Sequence, residues 1–233
     1  MLLAIDTSTR YAGVALLNTA GQLIQLLQWR SQRNHTVELL PAVETLLARE
    51  HATVQDLTGL AVALGPGSFS ALRVGLAVAK GLALARGLPI ATVTTLEAEA
   101  YAHLVGGFTI CPVLDAGRGQ LAWATFAQIQ GELSQTSEER ISTPEELLSS
   151  LPSPALLCGE GVEQYGEALS TSAPKGVVLA LPYLPGQRVS ALAYLGNIRL
   201  KAGQVQDPAS VQPLYVRQPT ITESRRHPLG TAP

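Results

Sequence analysis

Short apolar runs, each bounded by polar turn residues, open the chain. Residues 2–5 are too few for a helix and predict a buried strand, and residues 12–17 and 22–30 predict two further strands. The turn after the first strand reads Asp6-Thr-Ser-Thr, so a carboxylate and three hydroxyls directly follow a buried strand. The beginning of the chain therefore predicts a strand and hairpin with an acidic residue at the end of the first strand.

A helical period replaces the strand pattern over residues 36–50, where apolar side chains recur three and four positions apart. Pro41 suits the first turn of a helix, so we expect regular helix only from about Leu40. A strand over 61–64, a helix over 71–85 and a strand over 90–93 follow. Together they predict a βαβ unit that continues the first sheet.

The same order returns after Gly106-Gly107, which we interpret as the boundary between two lobes. Residues 108–114 predict a strand that ends in Asp115, and residues 120–128 predict its hairpin partner. A strand that ends in aspartate and leads into a hairpin thus occurs twice, at Asp6 and at Asp115. This repetition is typical of a duplicated ribonuclease-H-like fold, and we predict an α/β chain with two mixed-sheet lobes.

The first lobe is predicted over residues 1–105, rejoined by C-terminal residues, and the smaller second lobe over 106–233. Residues 151–185 are rich in Pro, Ser and Gly and predict loops around one short strand and one helix. A final helix is predicted over 189–202. From about residue 222 we expect a disordered tail.

Composition limits the classes of function. Charged residues make up only 15% of the 233 residues and the formal net charge is −2, so the chain lacks the clustered cations with which proteins grip nucleic acid by themselves. The short basic cluster Arg225-Arg226-His227 lies in the predicted tail. Cys111 and Cys158 have no Cys-x-x-Cys spacing and are predicted to be buried, inert thiols. The sequence shows no signal peptide and no membrane-length apolar run, which predicts a cytoplasmic protein.

The segment between the predicted strand and helix of the βαβ unit is rich in glycine. Gly65 and Gly67 can adopt backbone conformations closed to other residues, and Ser68 or Ser70 can cap the helix that follows. Such a turn directs backbone N–H groups and a helix N-terminus to one place, where an anion or an acceptor of a partner can bind. Close packing alone also explains many glycines in strand-to-helix turns.

Two interpretations of Asp6 stay open. It positions a magnesium–nucleotide, or it accepts hydrogen bonds from the backbone of its own turn. An acidic residue at this place is similar to the phosphate-1 element of the actin, hexokinase and Hsp70 class of ATP-handling folds, where the carboxylate holds a hydrated magnesium ion. On that likeness the candidate cofactor-binding residues are Asp6, Thr7, Ser8, Gly65, Gly67 and Ser68.

Several segments together resemble the TsaB family, the paralogue of TsaD in bacterial tRNA threonylcarbamoyladenosine (t6A) biosynthesis. The likeness is dense over residues 2–118 and thin beyond. It is carried by Ile5-Asp-Thr-Ser-Thr9, His35-Thr-Val-Glu38-Leu-Leu-Pro41, Gly65-Pro-Gly-Ser-Phe-Ser-Ala-Leu-Arg73 with Lys80-Gly-Leu-Ala, Pro89-Ile-Ala-Thr-Val-Thr-Thr-Leu96-Glu97, Val113-Leu-Asp115-Ala and, late in the chain, Pro213-Leu-Tyr215-Val-Arg217. One departure is Gly117, which stands where the family's turn carries an arginine.

His35 and Glu38 lie three positions apart and so on one face of the predicted helix. In the TsaD relatives, two histidines four positions apart in this region bind the catalytic metal. The position four beyond His35 is Leu39, which cannot ligate a metal. We therefore predict no metal site and no catalytic residue in this chain.

The resemblance also places a partner-binding surface on helices of the first lobe, since TsaB pairs with TsaD there. The helix predicted over 71–85 has apolar or small residues on most of its surface, which is typical of an interface. The predicted interface residues come from this helix and from its neighbour over 36–50. They are His35, Glu38, Leu39, Leu72, Arg73, Leu76, Ala79, Lys80 and Ala83.

These likenesses imply a non-catalytic subunit that dimerises with a TsaD-type subunit and supports it in t6A modification of tRNAs that read ANN codons. A TsaE-type ATPase is expected to dock on the pair, tRNA to bind only through the complex, and the chain alone to form a homodimer. The chain by itself requires no cofactor, and ATP or ADP with Mg is expected at the shared complex. The alternative is an independent ATP-binding hydrolase or kinase of the actin-like class, built on Asp6, Asp115 and the glycine-rich turn.

Overall fold

The structure, a computed structural model, describes residues 1–216. The predicted tail from about residue 222 and the basic cluster Arg225-Arg226-His227 lie outside these residues. None of the helices over residues 1–216 combines the length and the apolar character that crossing a membrane requires.

Apolar runs near the N-terminus build a mixed sheet at the centre of the first lobe. Its strands are β1 (Leu2–Asp6), β2 (Tyr11–Leu17), β3 (Leu23–Arg30), β4 (Gly59–Ala63) and β5 (Ile90–Val93). In space their order is β3-β2-β1-β4-β5. The central strand β1 pairs antiparallel with β2 and parallel with β4, so a hairpin and a βαβ unit share one strand.

The second lobe repeats this order. Its strands are β6 (Thr109–Gly117), β7 (Gln120–Trp123), β8 (Phe126–Ile129), β9 (Glu132–Gln135), β10 (Arg140–Ser142), β11 (Ala155–Cys158) and β12 (Val177–Leu179). They follow the order β10-β7-β6-β11-β12, with the β8–β9 hairpin paired to β6. In each lobe the central strand is thus the first strand in sequence, and in each it carries the predicted aspartate near its end, which confirms the duplicated α/β architecture.

Helices cover both faces of the first sheet. The described helices are α1 (His35–Arg49), α2 (Phe69–Arg86), α3 (Thr95–Ala102), α4 (Pro144–Ser150), α5 (Glu160–Ser172) and α6 (Pro185–Lys201). Because side chains alternate along β1, Leu3 and Ile5 pack beneath α1 and α2, while Leu2 and Ala4 pack beneath α3 and α6. The sheet therefore has apolar cores on both faces, and the inner sides of all four helices are buried.

The last helix packs on the first lobe, although it follows the second lobe in sequence. α6 lies across all five strands of the first sheet and beside α3. Gly196 of α6 approaches Ala61 of β4 so closely that a Cβ would collide with it. Residues 185–201 thus rejoin the first lobe in space, as expected of C-terminal residues, although they lie within the range 106–233 given to the second lobe.

Three local predictions needed correction. The strand expected over 120–128 is divided into β7 and β8, which both pair with β6 but have different second partners, β10 and β9. Residues 151–185 contain two strands rather than one, because the three-residue β12 is too short to show a period of its own. The helix predicted over 36–50 is confirmed as α1, but its regular part, expected only from near Leu40, begins at His35, where burial of Leu39 and anchoring of His35 support the first turn.

Residues 203–216, which we call the C-terminal strap, run along the first lobe after α6. The amide of Gln206 donates to the Ile90 carbonyl, and the amide of Leu214 donates to the Leu64 carbonyl. Lys80 of α2 donates through Nζ to two strap carbonyls, at 3.1 and 3.2 Å. Val211 is buried in the core beneath α2. The strap is therefore a packed part of the lobe.

Candidate functional site

A cleft of about 360 Å³ opens between the two lobes. Its first-lobe wall consists of the β1–β2 turn, the β3–α1 turn and residues 65–68, which we call the glycine loop. Its second-lobe wall consists of the end of β6 and the first turns of α5. Of the predicted cofactor-binding residues, Ser8, Gly67 and Ser68 line the cleft. The other three do not line it: Asp6, Thr7 and Gly65.

Asp6 is buried behind the cleft wall and both of its carboxylate oxygens are engaged. Oδ1 accepts from the amide of Ser8 at 2.9 Å and from the Ser8 hydroxyl at 2.6 Å. Oδ2 accepts from Nε of Arg188 at 2.6 Å. The interpretation of Asp6 as an acceptor for its own turn is confirmed, and the turn is joined by an ion pair that the sequence pattern did not indicate.

Arg188 has no exposed surface, and its guanidinium uses all five of its N–H donors. Besides Asp6, it donates to Glu99 at 2.9 Å, to the Tyr183 hydroxyl at 2.8 Å, to the Thr9 hydroxyl at 3.0 Å and to the Tyr11 carbonyl at 2.7 Å. Burial alone would lower the pKa of the guanidinium, but the facing Asp6 and Glu99 carboxylates raise it well above its usual value. We call this group the Arg188 cluster.

Glu160 begins α5 and extends from the second-lobe wall toward the Arg188 cluster. Its residue surface is only 6% exposed, and Oε2 has no hydrogen-bond partner within residues 1–216. Burial raises the pKa of this carboxyl, while the positive charge of Arg188 opposes the shift. Glu160 is therefore the point at which the second lobe meets the buried charges of the first.

A second contact beside Glu160 joins the lobes at the surface. The Tyr11 hydroxyl donates to Glu163 of α5 at 2.7 Å, and Arg10 pairs with the same oxygen at 3.3 Å. Burial raises the pKa of Tyr11, and its bond to Glu163 adds to the shift. The first turns of α5 are thus held on the hairpin of the first lobe.

Asp115 lies at the opposite wall of the cleft, on the solvent-exposed end of β6. Its Oδ1 accepts from the amide of Gly117 at 2.9 Å and from the Tyr165 hydroxyl at 3.0 Å. Gly117, where the family resemblance leads us to expect arginine, has φ +72°, which glycine adopts without a steric penalty. Glycine at position 117 therefore fits the backbone conformation that this turn adopts.

The glycine loop is held tightly against the β1–β2 turn. Gly67 lies on the Ser8 carbonyl with no room for a Cβ, and the amide of Ser68 donates to the same carbonyl at 2.7 Å. Thr7 turns away from the cleft and donates its hydroxyl to the backbone of α2. Ser68 occupies the N-cap position of α2, as predicted, but its hydroxyl makes no capping hydrogen bond.

His35 is almost fully buried between two turns of the first lobe. Its Nε2 lies 3.1 Å from the Thr9 carbonyl, and because a carbonyl only accepts, Nε2 carries the proton. Nδ1 lies 3.4 Å from the Ser31 hydroxyl. Glu38 accepts from the Trp29 indole at 2.9 Å. Both side chains therefore join elements of their own lobe.

Most of the predicted interface residues are internal. Six of them are at most 7% exposed and pack in the first lobe: His35, Leu39, Leu72, Leu76, Ala79 and Ala83. Arg73 and Lys80 are bound to the C-terminal strap, Arg73 through the Tyr215 hydroxyl at 3.1 Å. The prediction that these six side chains contact a partner is wrong, because the inner faces of α1 and α2 are required by their own sheet.

The outward faces of α1 and α2 present a different set of residues, which we call the outer helix surface. Val37 is 71% exposed, Leu40 50% and Leu84 64%, although all three are apolar. α2 also exposes the small residues Ala77 and Gly81, and a Cβ on Gly81 would meet no atom within 4 Å. Two helices packed side by side thus expose several apolar and small residues on their outward faces.

Comparison with known proteins assigns the chain to a family. A protein-family profile described as "TsaD: tRNA N6-adenosine threonylcarbamoyltransferase" matches residues 29–205. The "tRNA threonylcarbamoyladenosine biosynthesis protein TsaB" of Bacillus subtilis (strain 168) is 32% identical over 223 residues, which cover 93% of each chain. The chain belongs to the TsaB family.

Solved structures agree with this TsaB-family assignment. YeaZ from Pseudomonas aeruginosa is similar with a TM-score of 0.77 at 27% identity, over 92% of this chain and 99% of that one. A ROK family glucokinase from Streptomyces griseus in complex with glucose and AMPPNP gives 0.51 at 9% identity, over 84% and 99%. The second likeness concerns the fold alone, and the two-lobed, actin-like fold expected of a TsaB-family chain is confirmed.

Sequence reasoning missed the buried charges of this TsaB-family chain. Arg188 stands at the start of a helix whose next residues are mainly apolar, and Glu99 stands between two alanines on α3. A charged residue on the apolar face of a helix was the available signal, since such residues are almost never fully buried unless paired. The identity of the partners was not readable, because Asp6 and Arg188 are 182 positions apart.

Proposed function

We propose that this chain is a non-catalytic partner subunit that dimerises with a TsaD-type subunit and supports it in t6A modification of tRNA. The names of its relatives support the pathway, since the Bacillus subtilis protein is a t6A biosynthesis protein. The observation that carries the partner role is the outer helix surface. Val37 and Leu40 near the start of α1 and Leu84 near the end of α2 are exposed apolar side chains, which water solvates poorly and which a second pair of helices would bury.

The composition of that surface favours helices as the docking element. Small residues at the exposed positions 77 and 81 of α2 let another helix approach closely, while the larger apolar residues at its edges supply contact area. The strap limits the surface on one side, since it occupies Lys80 and Arg73. The same face would serve a homodimer when the chain is alone.

The engagement of the candidate catalytic groups supports a role without chemistry in this chain. Asp6 has both oxygens occupied and Arg188 stands where a cation beside it would lie. His35 gives both ring nitrogens to internal contacts. ATP or ADP with Mg, a TsaE-type ATPase and tRNA then belong to the assembled complex, with Ser8, Gly67 and Ser68 as the residues of this chain open to the cleft.

The test is complex formation with a TsaD-type subunit of the same organism, followed by light scattering and by the t6A content of tRNA. Leu40→Asp places a charge on the outer helix surface and should abolish the complex. Ile198→Asp is the matched control, because Ile198 is similarly exposed (53%) on α6, on the opposite face of the sheet. Leu76→Glu is unsuitable for this purpose, since Leu76 is in the core and its loss would damage the fold.

Equal loss of complex in both variants, or no loss in either, would contradict the proposed surface. A second test measures ATP turnover by the purified chain. Magnesium-dependent hydrolysis by the purified chain alone, lost in Asp6→Asn, would overturn the non-catalytic role and establish an independent hydrolase or kinase. A silent chain that forms a stoichiometric complex and restores t6A would support the partner subunit.

A further inference from the structure

The Arg188 cluster has the composition of a cation-binding site. Its acceptors are all oxygens, contributed by the β1–β2 hairpin, by Glu99 on α3 and by Tyr183 just before α6. Two of them are carboxylates with at most 2% exposed side chains. Without a cation, two anionic groups would face one another in a region that water does not reach, at a large cost in free energy.

The geometry is that of a guanidinium group rather than of a metal ion. The acceptors lie 2.6–3.0 Å from the guanidinium nitrogens, which is hydrogen-bond distance. They match the planar fork of five N–H groups one by one, and no donor is left over. Neutral hydroxyls of Tyr183 and Thr9 complete the ring around the two carboxylates.

We propose that Asp6, Glu99, Tyr183, Thr9 and the Tyr11 carbonyl form a guanidinium-binding site whose permanent occupant is Arg188. The cation is part of the chain and does not exchange, so the hairpin, α3 and α6 assemble without a metal ion. Asp6 is thereby withheld from divalent metals. Glu160 faces the site from α5 and adds a third carboxyl, which makes the surroundings richer in negative than in positive groups.

The test removes the Arg188 guanidinium by substitution and then supplies free guanidinium from solution. Arg188→Ala leaves an empty cavity bounded by the same acceptors. Guanidinium chloride at millimolar concentration should raise the unfolding temperature of Arg188→Ala by several degrees, increasing with the logarithm of the concentration as ligand binding requires. Arg199→Ala is the matched control: it removes another α6 arginine paired with a glutamate, but one that is 26% exposed. It should show only the weak destabilisation that guanidinium causes in any protein.

A comparison of salts distinguishes recognition of the guanidinium shape from a general effect of positive charge. Potassium and magnesium chloride at equal ionic strength should give Arg188→Ala less than the guanidinium effect, and adding Asp6→Asn should reduce the guanidinium effect several-fold. Equal stabilisation by all three salts, or none by guanidinium, would overturn the proposal.

A measurement on the wild-type protein tests the proposal even if the Arg188→Ala variant does not fold. Magnesium should leave the backbone amide resonances of Asp6 to Tyr11 unmoved. A saturable shift that Asp6→Asn abolishes would show that Arg188 does not occupy the site permanently, and would refute the proposal.

Discussion

Asp6 and Asp115 occupy equivalent places in the two lobes and have opposite surroundings. Both lie near the end of a central strand, and both accept at 2.9 Å from the amide two residues further on. Asp6 is 1% exposed and paired with a buried arginine, whereas Asp115 is exposed and takes its second bond from Tyr165 at the surface. The same local motif is therefore used for assembly in one lobe and for the cleft wall in the other.

The difference is made by α6 rather than by the turn itself. In the first lobe α6 brings a guanidinium onto the strand end and buries it, so the carboxylate must be paired to stay charged. At the end of β6 the neighbouring helix α5 supplies the Tyr165 hydroxyl instead of a buried guanidinium, and Asp115 keeps its contact with water. Buried and exposed copies of one motif should respond to the same substitution very differently.

The largest effect is expected from Arg188→Met. Removing the guanidinium leaves two buried carboxylates without a cation, and breaking a buried ion pair in this way costs about 3–5 kcal/mol. The variant should unfold at markedly lower urea concentration than wild type. Adding Asp6→Asn and Glu99→Gln should recover a large part of the loss, because the unpaired charges are removed. If the triple variant is less stable than Arg188→Met, the charges are not the cause.

The paired substitutions Asp6→Asn and Asp115→Asn test the comparison directly. Asp6→Asn weakens the bond to Arg188 and should lower the free energy of unfolding by about 2 kcal/mol, as expected for a hydrogen bond to a charged group. Asp115→Asn changes an exposed group and should stay within about 0.5 kcal/mol of wild type. Urea unfolding of the two proteins measures both values. Similar losses would show that the two aspartates contribute equally to the free energy of unfolding.

A smaller, pH-dependent effect should come from Glu160, where the second lobe meets the Arg188 cluster. Burial raises the pKa of this carboxyl in the folded protein above its ordinary value of 4.5, so the folded state binds the proton more tightly than the unfolded state. The free energy of unfolding therefore falls as pH rises from about 4.5 through the folded pKa, and is level above it. Urea unfolding across this range should show the slope in wild type but not in Glu160→Gln. An identical slope in both would assign the dependence elsewhere.

The smallest effect concerns Tyr165, the partner of Asp115. Burial raises the pKa of this phenol, and its hydrogen bond to the Asp115 carboxylate raises it further. Asp115→Asn keeps the burial but removes the negative charge, so the pKa of Tyr165 should fall part of the way toward 10.0. Titration of the tyrosine resonances by NMR, with Tyr165→Phe to assign the signal, checks this shift. An unchanged pKa would mean that Asp115 does not act on the phenol.

Much of the fold was readable because local patterns decide strands, helices and turns. The hairpin after Asp6, the βαβ unit through residues 59–93 and the second strand ending at Asp115 follow from period and from turn chemistry. What failed was the direction of side chains on α2. Its residues are apolar or small on nearly all sides, so the helical period could not distinguish Leu76, which faces the sheet, from Leu84, which faces solvent.

Local patterns along the chain are sufficient to predict the class of fold, its duplication and, through a handful of motifs, the family. What the candidate residues do follows only from how the packed elements bring them together. Asp6 became a partner of Arg188 because a helix from the far end of the chain crosses the first sheet, and Arg73 and Lys80 became anchors for the strap. Such pairings join residues more than a hundred positions apart. No local period records them, because the free energy that selects them arises only when the packed sheet excludes water from the paired groups.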